Sequence, residues 1–275
     1  MPDDMQTMTI KPIDEFRWRV VFDSPPVNLV SPEFVAELHA TVERIVADPA
    51  LKVVTFESAN DLFWLNHFDL ARIREFPLLP GGESLWTDAV IKLSEAPVVS
   101  IAKIRGRARG GGDELLLACD LRYASRERAL VGQIEVGTGI LPGGGATERL
   151  PRLIGRDRAL EAVLSSNDYP ADLATQYGWV TRSVPDTELD DLVDALADRL
   201  ATFDKPALAA AKQQINRASL PPAHDLHTAY REFIASLGSP GFAHRMDGLR
   251  RAAQAHGPAD VEVRLDHYLG VLGAG

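Results

Sequence analysis

The sequence predicts an α/β fold closed by a helical C-terminal extension. Three observations carry that expectation. Short apolar, strand-like runs alternate with amphipathic helical segments over the first two thirds of the 275 residues, and the last third reads as helix. Between them, a buried strand runs into Gly110-Gly111-Gly112 just before a helix begins.

The elements follow in order. Arg17-Trp18-Arg19-Val20-Val21-Phe22 has strand composition, and the turn Pro25-Pro26 comes next. Ser31-Pro32-Glu33 opens a helix, with Ser31 as N-cap and Pro32 suited to the first helical position. Phe34, Val35, Leu38, Val42, Ile45 and Val46 recur on one face until Asp48-Pro49 stops the helix. Val53-Val54-Thr55-Phe56 is a short buried strand. Residues 58–80 read as a long loop rich in aromatics, 85–93 as a helix and 98–104 as a strand. After the glycines come a helix over 113–119, a strand over 121–124, a loop over 137–145 and mostly helix over 147–164. A last strand covers 179–184, and helix follows from about residue 188, broken at Pro206, Pro221-Pro222 and Pro240.

A chain of this length that is 45% hydrophobic can bury a sizeable core. The net charge of −10 argues against a nucleic-acid groove or an anionic-lipid surface, while leaving room for an anionic ligand at a local site. The single cysteine, Cys119, excludes an internal disulfide, and its apolar surroundings (Leu115-Leu116-Leu117-Ala118) mark it as a core thiol. The N-terminal Met1-Pro2-Asp3-Asp4 lacks an apolar segment behind a basic one, and no apolar run approaches the ~20 residues a membrane span needs. A cytoplasmic protein is expected.

The most informative stretch for chemistry runs from Arg105 through the glycine triplet to Asp113-Glu114-Leu115. Glycines let backbone approach a ligand closely, and the free N–H groups of a helix start hold an anion or an oxygen on which charge develops. Glu114 sits in the first turn, beside that place. The same residues also suit a plain glycine-rich turn whose acids complement the helix dipole. Glu135 lies 21 positions later, between two glycine-rich turns. Taken alone it reads as a solvated loop residue; paired with Glu114 it suggests acid/base work on a carbonyl compound. Rival sites are weaker. Gly137-Thr138-Gly139 meets Pro142 where a dinucleotide fingerprint needs its third glycine, and neither a phosphate loop nor a nucleophile elbow is present. His224 and His227 lack a third ligand, so no metal is expected. Arg105, Arg107 and Arg109 alternate and suit a ligand phosphate, an interface or a solvated face.

The blocks from Pro97 to Leu115, Cys119 to Ser125, Gly132 to Gly137, Leu141 to Leu150 and Ala171 to Val180 closely resemble the crotonase superfamily in order and spacing. The resemblance is dense over 97–184, looser over 16–70 and weak over the C-terminal helices. It implies a spiral of ββα units over 1–195 and a helical trimerisation region over 196–275. It also implies trimers or paired trimers, a CoA thioester substrate and no cofactor beyond the CoA of that substrate. In this family two backbone N–H groups hold the thioester oxygen, one of them from the middle glycine, here Gly111. The other comes from a loop that usually reads Phe-x-Ala-Gly-Ala-Asp-Leu. Here that loop is Phe63-Trp64-Leu65-Asn66-His67-Phe68-Asp69-Leu70, one residue longer, which puts the second donor on Asn66 and a histidine in place of the glycine. Trp64, Leu65, His67 and Gly110 are then expected to touch substrate. The hydratases' two glutamates match Glu114 and Glu135, which implies hydration of a 2-enoyl-CoA to a 3-hydroxyacyl-CoA. Enoyl-CoA isomerisation, thioester hydrolysis and a non-catalytic binding or scaffold role on the same fold are the alternatives.

Overall fold

The computed structural model describes residues 6–272. Two sheets organise it. The larger has six strands in the order β1 (Met8–Pro12), β2 (Arg17–Phe22), β3 (Val53–Ser58), β5 (Val99–Ile104), β7 (Leu121–Ser125) and β10 (Arg182–Val184). The smaller has four, in the order β4 (Phe63–Leu65), β6 (Arg107–Arg109), β8 (Leu130–Gly132) and β9 (Tyr169–Pro170). Only the β1–β2 and β8–β9 pairs are antiparallel. The chain therefore spirals. A strand in the large sheet leads within a few residues to one in the small sheet, and a helix carries the chain back: β3, β4, α2 (Leu85–Glu95), then β5, β6, α3 (Gly111–Ala118), then β7, β8 and α4 (Glu135–Thr138). The implied ββα spiral is what the chain forms.

Local chemistry explains the elements. In α1 (Pro32–Ala47) the Ser31 hydroxyl accepts the Phe34 N–H at 3.1 Å, and Asp48 accepts the N–H groups of Ala50 and Leu51 where the helix stops. The central strands are parallel and covered on both faces, hence their continuous apolar runs. One face meets α1 and α2 in the main core. The other is covered by α8 (Asp186–Ala201), whose Leu189, Val193 and Ala197 pack on Val53, Ile101 and Tyr123. Cys119 is buried, as expected.

Several expectations change. The loop over 58–80 contains β4 and a 3-10 turn, Leu70–Glu75. The stretch over 147–164 is mostly helical as expected, in two helices, α5 (Ala146–Ile154) and α6 (Arg156–Ser165), that part where Gly155 takes a positive φ of 82°. Trp179 and Val180 precede the last strand and are buried. The C-terminal part continues as α9 (Lys205–Ser219), α10 (Ala223–Ser236), α11 (Pro240–His256), α12 (Pro258–Val263) and α13 (Leu265–Val271). Among the described residues no helix is long and apolar enough to cross a membrane.

Candidate active site

The glycine triplet lies against the segment 63–69. Gly110 takes φ 52°, ψ −122°, and its N–H donates to the Gly132 carbonyl at 3.0 Å. The Gly112 N–H donates to the Asn66 carbonyl at 3.0 Å, and a side chain at Gly112 would overlap the Leu65 carbonyl. The Asn66 N–H donates to the Asn28 carbonyl at 2.8 Å, so Asn66 is not free to hold a substrate oxygen as the sequence suggested. Further on, the His67 carbonyl accepts from Val30 and the Asp69 N–H donates to Val30. Successive N–H groups of extended chain alternate sides. The Phe68 N–H therefore faces away from Val30, and neither it nor the Gly111 N–H has an acceptor among the described residues. The two residues are neighbours: the Phe68 ring lies 3.3 Å from where a Cβ on Gly111 would stand.

Three acids are buried beside these donors: Asp113, Glu114 and Glu135. Asp113 accepts from the Gln133 amide at 2.6 Å and the Trp179 indole at 2.9 Å, tying the start of α3 to the segment that carries Glu135. Burial nevertheless holds its carboxyl well above the usual range. Glu114 Oε1 accepts the N–H groups of Gly144 at 2.5 Å and Ala146 at 3.4 Å, while Oε2 has no donor among the described residues. Burial raises Glu114 to about 7, against the pull of those N–H groups. Glu135, expected in a loop, begins the short helix α4 and is buried. Its Oε1 lies 2.5 Å from where a Cβ on Gly110 would stand, so a side chain there would displace this carboxyl, and its Oε2 has no partner among the described residues. Burial first, then the charge of nearby Glu114, pushes Glu135 well above the usual carboxylate range.

A polar clamp brings the C-terminal helices over this place. The His67 Nε2 meets Glu262 Oε2 at 3.1 Å, the Asn66 side-chain amide donates to the same oxygen at 2.8 Å, and His67 Nδ1 meets the Phe68 carbonyl at 2.8 Å. Burial alone would lower His67, but the Glu262 charge and hydrogen bond outweigh it and hold the ring above its ordinary value. Burial likewise opposes the ionised Glu262, yet His67 and Asn66 bring it down to about 2. Arg109, fully buried, pairs with Asp168 and donates to the Glu262 carbonyl at 2.5 Å. Beside His67 opens a largely apolar cavity of about 250 Å³, lined by Leu29, Leu70, Ile134, Met246 and Glu262 among others.

Of the expected substrate contacts, His67 and Gly110 stand beside Glu135. The side chains of Trp64 and Leu65 do not reach the cavity. Both are fully buried in the main core, Trp64 edge-on to Phe22 at 5.3 Å. The three alternating arginines part company: Arg105 pairs with Asp186 and Asp190, Arg107 lies over Phe63 and Arg109 joins the clamp. His224 is a surface residue beside Asp225. Sequence reasoning missed Asp168 and Glu262, which reach the site from distant segments, and Phe68, which it read only as one of several aromatics.

The family model for enoyl-CoA hydratase/isomerase matches residues 18–237. A short-chain-enoyl-CoA hydratase of Clostridium acetobutylicum is 30% identical over 197 residues, covering 70% of this chain and 74% of that protein. A crotonyl-CoA hydratase of Syntrophomonas wolfei is 32% identical over 198 residues, covering 69% and 74%. A crystal structure of a candidate enoyl-CoA hydratase from Streptomyces avermitilis superposes over 100% of both chains with a TM-score of 0.92 at 41% identity. An enoyl-CoA hydratase structure from Mycobacterium avium gives 0.79 at 25% identity, over 88% of this chain and 98% of that one. A match that begins at β2 and runs through every strand of the spiral and both buried glutamates leaves one assignment: this chain belongs to the enoyl-CoA hydratase/isomerase family, within the crotonase superfamily.

Proposed function

We propose that the protein adds water to a 2-enoyl-CoA thioester, giving the 3-hydroxyacyl-CoA. The observation that carries this is the pairing of two buried carboxyl groups, each with one unpaired oxygen, beside two unpaired backbone N–H groups. The N–H groups of Phe68 and Gly111 hold the thioester oxygen as it takes on enolate charge. Glu114, titrating near neutral pH, takes one proton from water as the water oxygen bonds to C3. Glu135, kept protonated by burial and by Glu114, delivers its proton to C2. Water is thereby added with no change of oxidation state, so the chemistry calls for no redox group. Proton exchange with solvent restores the pair.

The thioester reaches this place through the apolar cavity beside His67, and the relatives named for short-chain and crotonyl substrates support a short acyl group. A trimer or a multiple of three is proposed from the family resemblance. Exposed Ile215 of α9 and Leu164 of α6 are apolar surface suited to such contacts, whereas Phe233 packs on Phe68 in the core. The test is incubation with crotonyl-CoA and separately with a 3-enoyl-CoA, followed by product analysis. Formation of 3-hydroxybutyryl-CoA supports hydration. Double-bond migration alone, free CoA, or no product would replace it with isomerisation, hydrolysis or a binding role respectively.

A further inference from the structure

We propose that the indole N–H of Trp86 is a second polar contact, beside Glu114, for the oxygen added at C3. This rests on the hydratase reading and extends the site to a residue of α2. Trp86 is fully buried, and its Nε1 has no acceptor among the described residues. Glu114 Oε2 is the matching unpaired acceptor. The two atoms lie close together: a Cβ on Gly144 would stand 2.2 Å from Glu114 Oε2 and 2.3 Å from Trp86 Nε1, so they are at most 4.5 Å apart, within reach of a single bridging oxygen. Glycine at 144 therefore lets the carboxyl and the indole approach each other, since any side chain there would collide with both.

The chemistry of the two groups defines what fits between them. An indole N–H only donates, and an ionised carboxylate only accepts. They do not bond to each other, so the group that satisfies both must accept from one side and donate to the other. Water does this, and so does the hydroxyl it becomes at C3. A thioester carbonyl or an alkyl carbon does not. The indole is also held in place, because its ring packs edge-on to Phe68 at 5.2 Å with an interplanar angle of 75°. Phe68 carries one of the proposed oxyanion donors, so the group that orients the oxygen and the group that holds the thioester share one aromatic contact. Gly144 serves both sides, since its N–H fixes Oε1 of Glu114 and leaves Oε2 on the side of the Trp86 indole.

The experiment replaces Trp86 in the full-length protein in two ways: Trp86→Phe, and Trp86 replaced by benzothienylalanine, whose sulfur keeps the ring shape without the N–H. Two readouts are taken. The first is kcat and KM for crotonyl-CoA hydration. The second is the affinity for two thioethers that cannot react, S-(3-hydroxybutyl)-CoA and S-butyl-CoA. Loss of one hydrogen bond predicts a fall of about tenfold in kcat, with KM within about twofold, and a similar fall for the hydroxylated thioether alone. An equal loss for both thioethers would show that Trp86 acts only by packing and would overturn the proposal. Wild-type values in the benzothienylalanine protein would overturn it even if the phenylalanine variant folds poorly. A wild-type protein that does not hydrate crotonyl-CoA refutes the hydratase reading instead, and the thioether ratio still decides whether Trp86 recognises a hydroxyl.

Discussion

Replacing Glu114 by glutamine should damage activity and raise stability, and the two effects have one cause. The fold holds Glu114 at about 7 against an ordinary 4.5. Each pH unit corresponds to about 1.4 kcal/mol, so ionising this group in the folded protein costs on the order of 3 kcal/mol more than in the unfolded chain. The sign follows from proton binding: between pH 4.5 and about 7 the native state holds more proton than the unfolded state, so stability falls as pH rises. The cost is absent below pH 4.5 and complete above about 7. Glutamine removes it, keeps an acceptor for the Gly144 N–H, and sets an amide donor near the Trp86 N–H, which offsets about 1 kcal/mol. For a chain of this size the net gain at pH 8 is on the order of 5 °C in Tm. Loss of the general base should lower kcat by ~10²–10⁴-fold. Thermal melts of wild type and variant at pH 5 and pH 8, with hydration rates, check both. A variant that melts lower at pH 8, or whose advantage is the same at pH 5, would refute the argument that burial opposes the ionised form of Glu114.

Glu135→Gln should cut turnover by the same order, ~10²–10⁴-fold, with stability at pH 8 kept or raised, because burial rather than any hydrogen bond dominates its carboxyl; retention of full hydratase activity would remove it from the mechanism. His67→Gly takes away the ring that pairs with Glu262, so amide exchange in Pro258–Val263 should quicken while turnover of crotonyl-CoA is largely kept; unchanged exchange would show that the pair does not hold α12. Light scattering should find a trimer or hexamer at micromolar concentration, and a stable monomer would count against the proposed assembly.

Much of the frame was legible because it follows from local rules. The cap at Ser31, the face from Phe34 to Ile45 and the stop at Asp48-Pro49 are written in consecutive residues. The central strands declare themselves by apolar runs, since both their faces are covered. The small sheet was not legible: β4, β6 and β8 are three residues each, and Arg107-Ala108-Arg109 carries no apolar signal. Phe68 was overlooked because which N–H of an extended segment is free depends on the Val30 pairing, a contact made from 38 residues away along the chain. The burial of Glu135 is likewise non-local. Its neighbour Ile134 is covered by Ala252, Val261 and Leu265, residues of helices more than 100 positions later. Trp86 carried no signal, since a tryptophan on an amphipathic helix with Ala89, Val90 and Leu93 reads as core.

The histidine at 67 shows how a local departure and a distant one fit together. Where the family pattern implied by the resemblance has glycine, this loop carries an imidazole beside Gly110, the position where any side chain would strike Glu135. A ring turned inward would compete for the same space. Instead both its nitrogens are engaged on the far side, one with the Phe68 carbonyl and one with Glu262. The carboxylate at 262 is shared with the Asn66 amide, and its own backbone carbonyl is held by Arg109, which Asp168 in turn fixes. Each polar group in this chain is buried or nearly so, and each would be costly if its partner were absent. The loop at 66–67 and the helix at 258–263 therefore have to change together. That dependence explains how the segment can carry a histidine at this place while the N–H groups of Phe68 and Gly111 stay without an acceptor among the described residues.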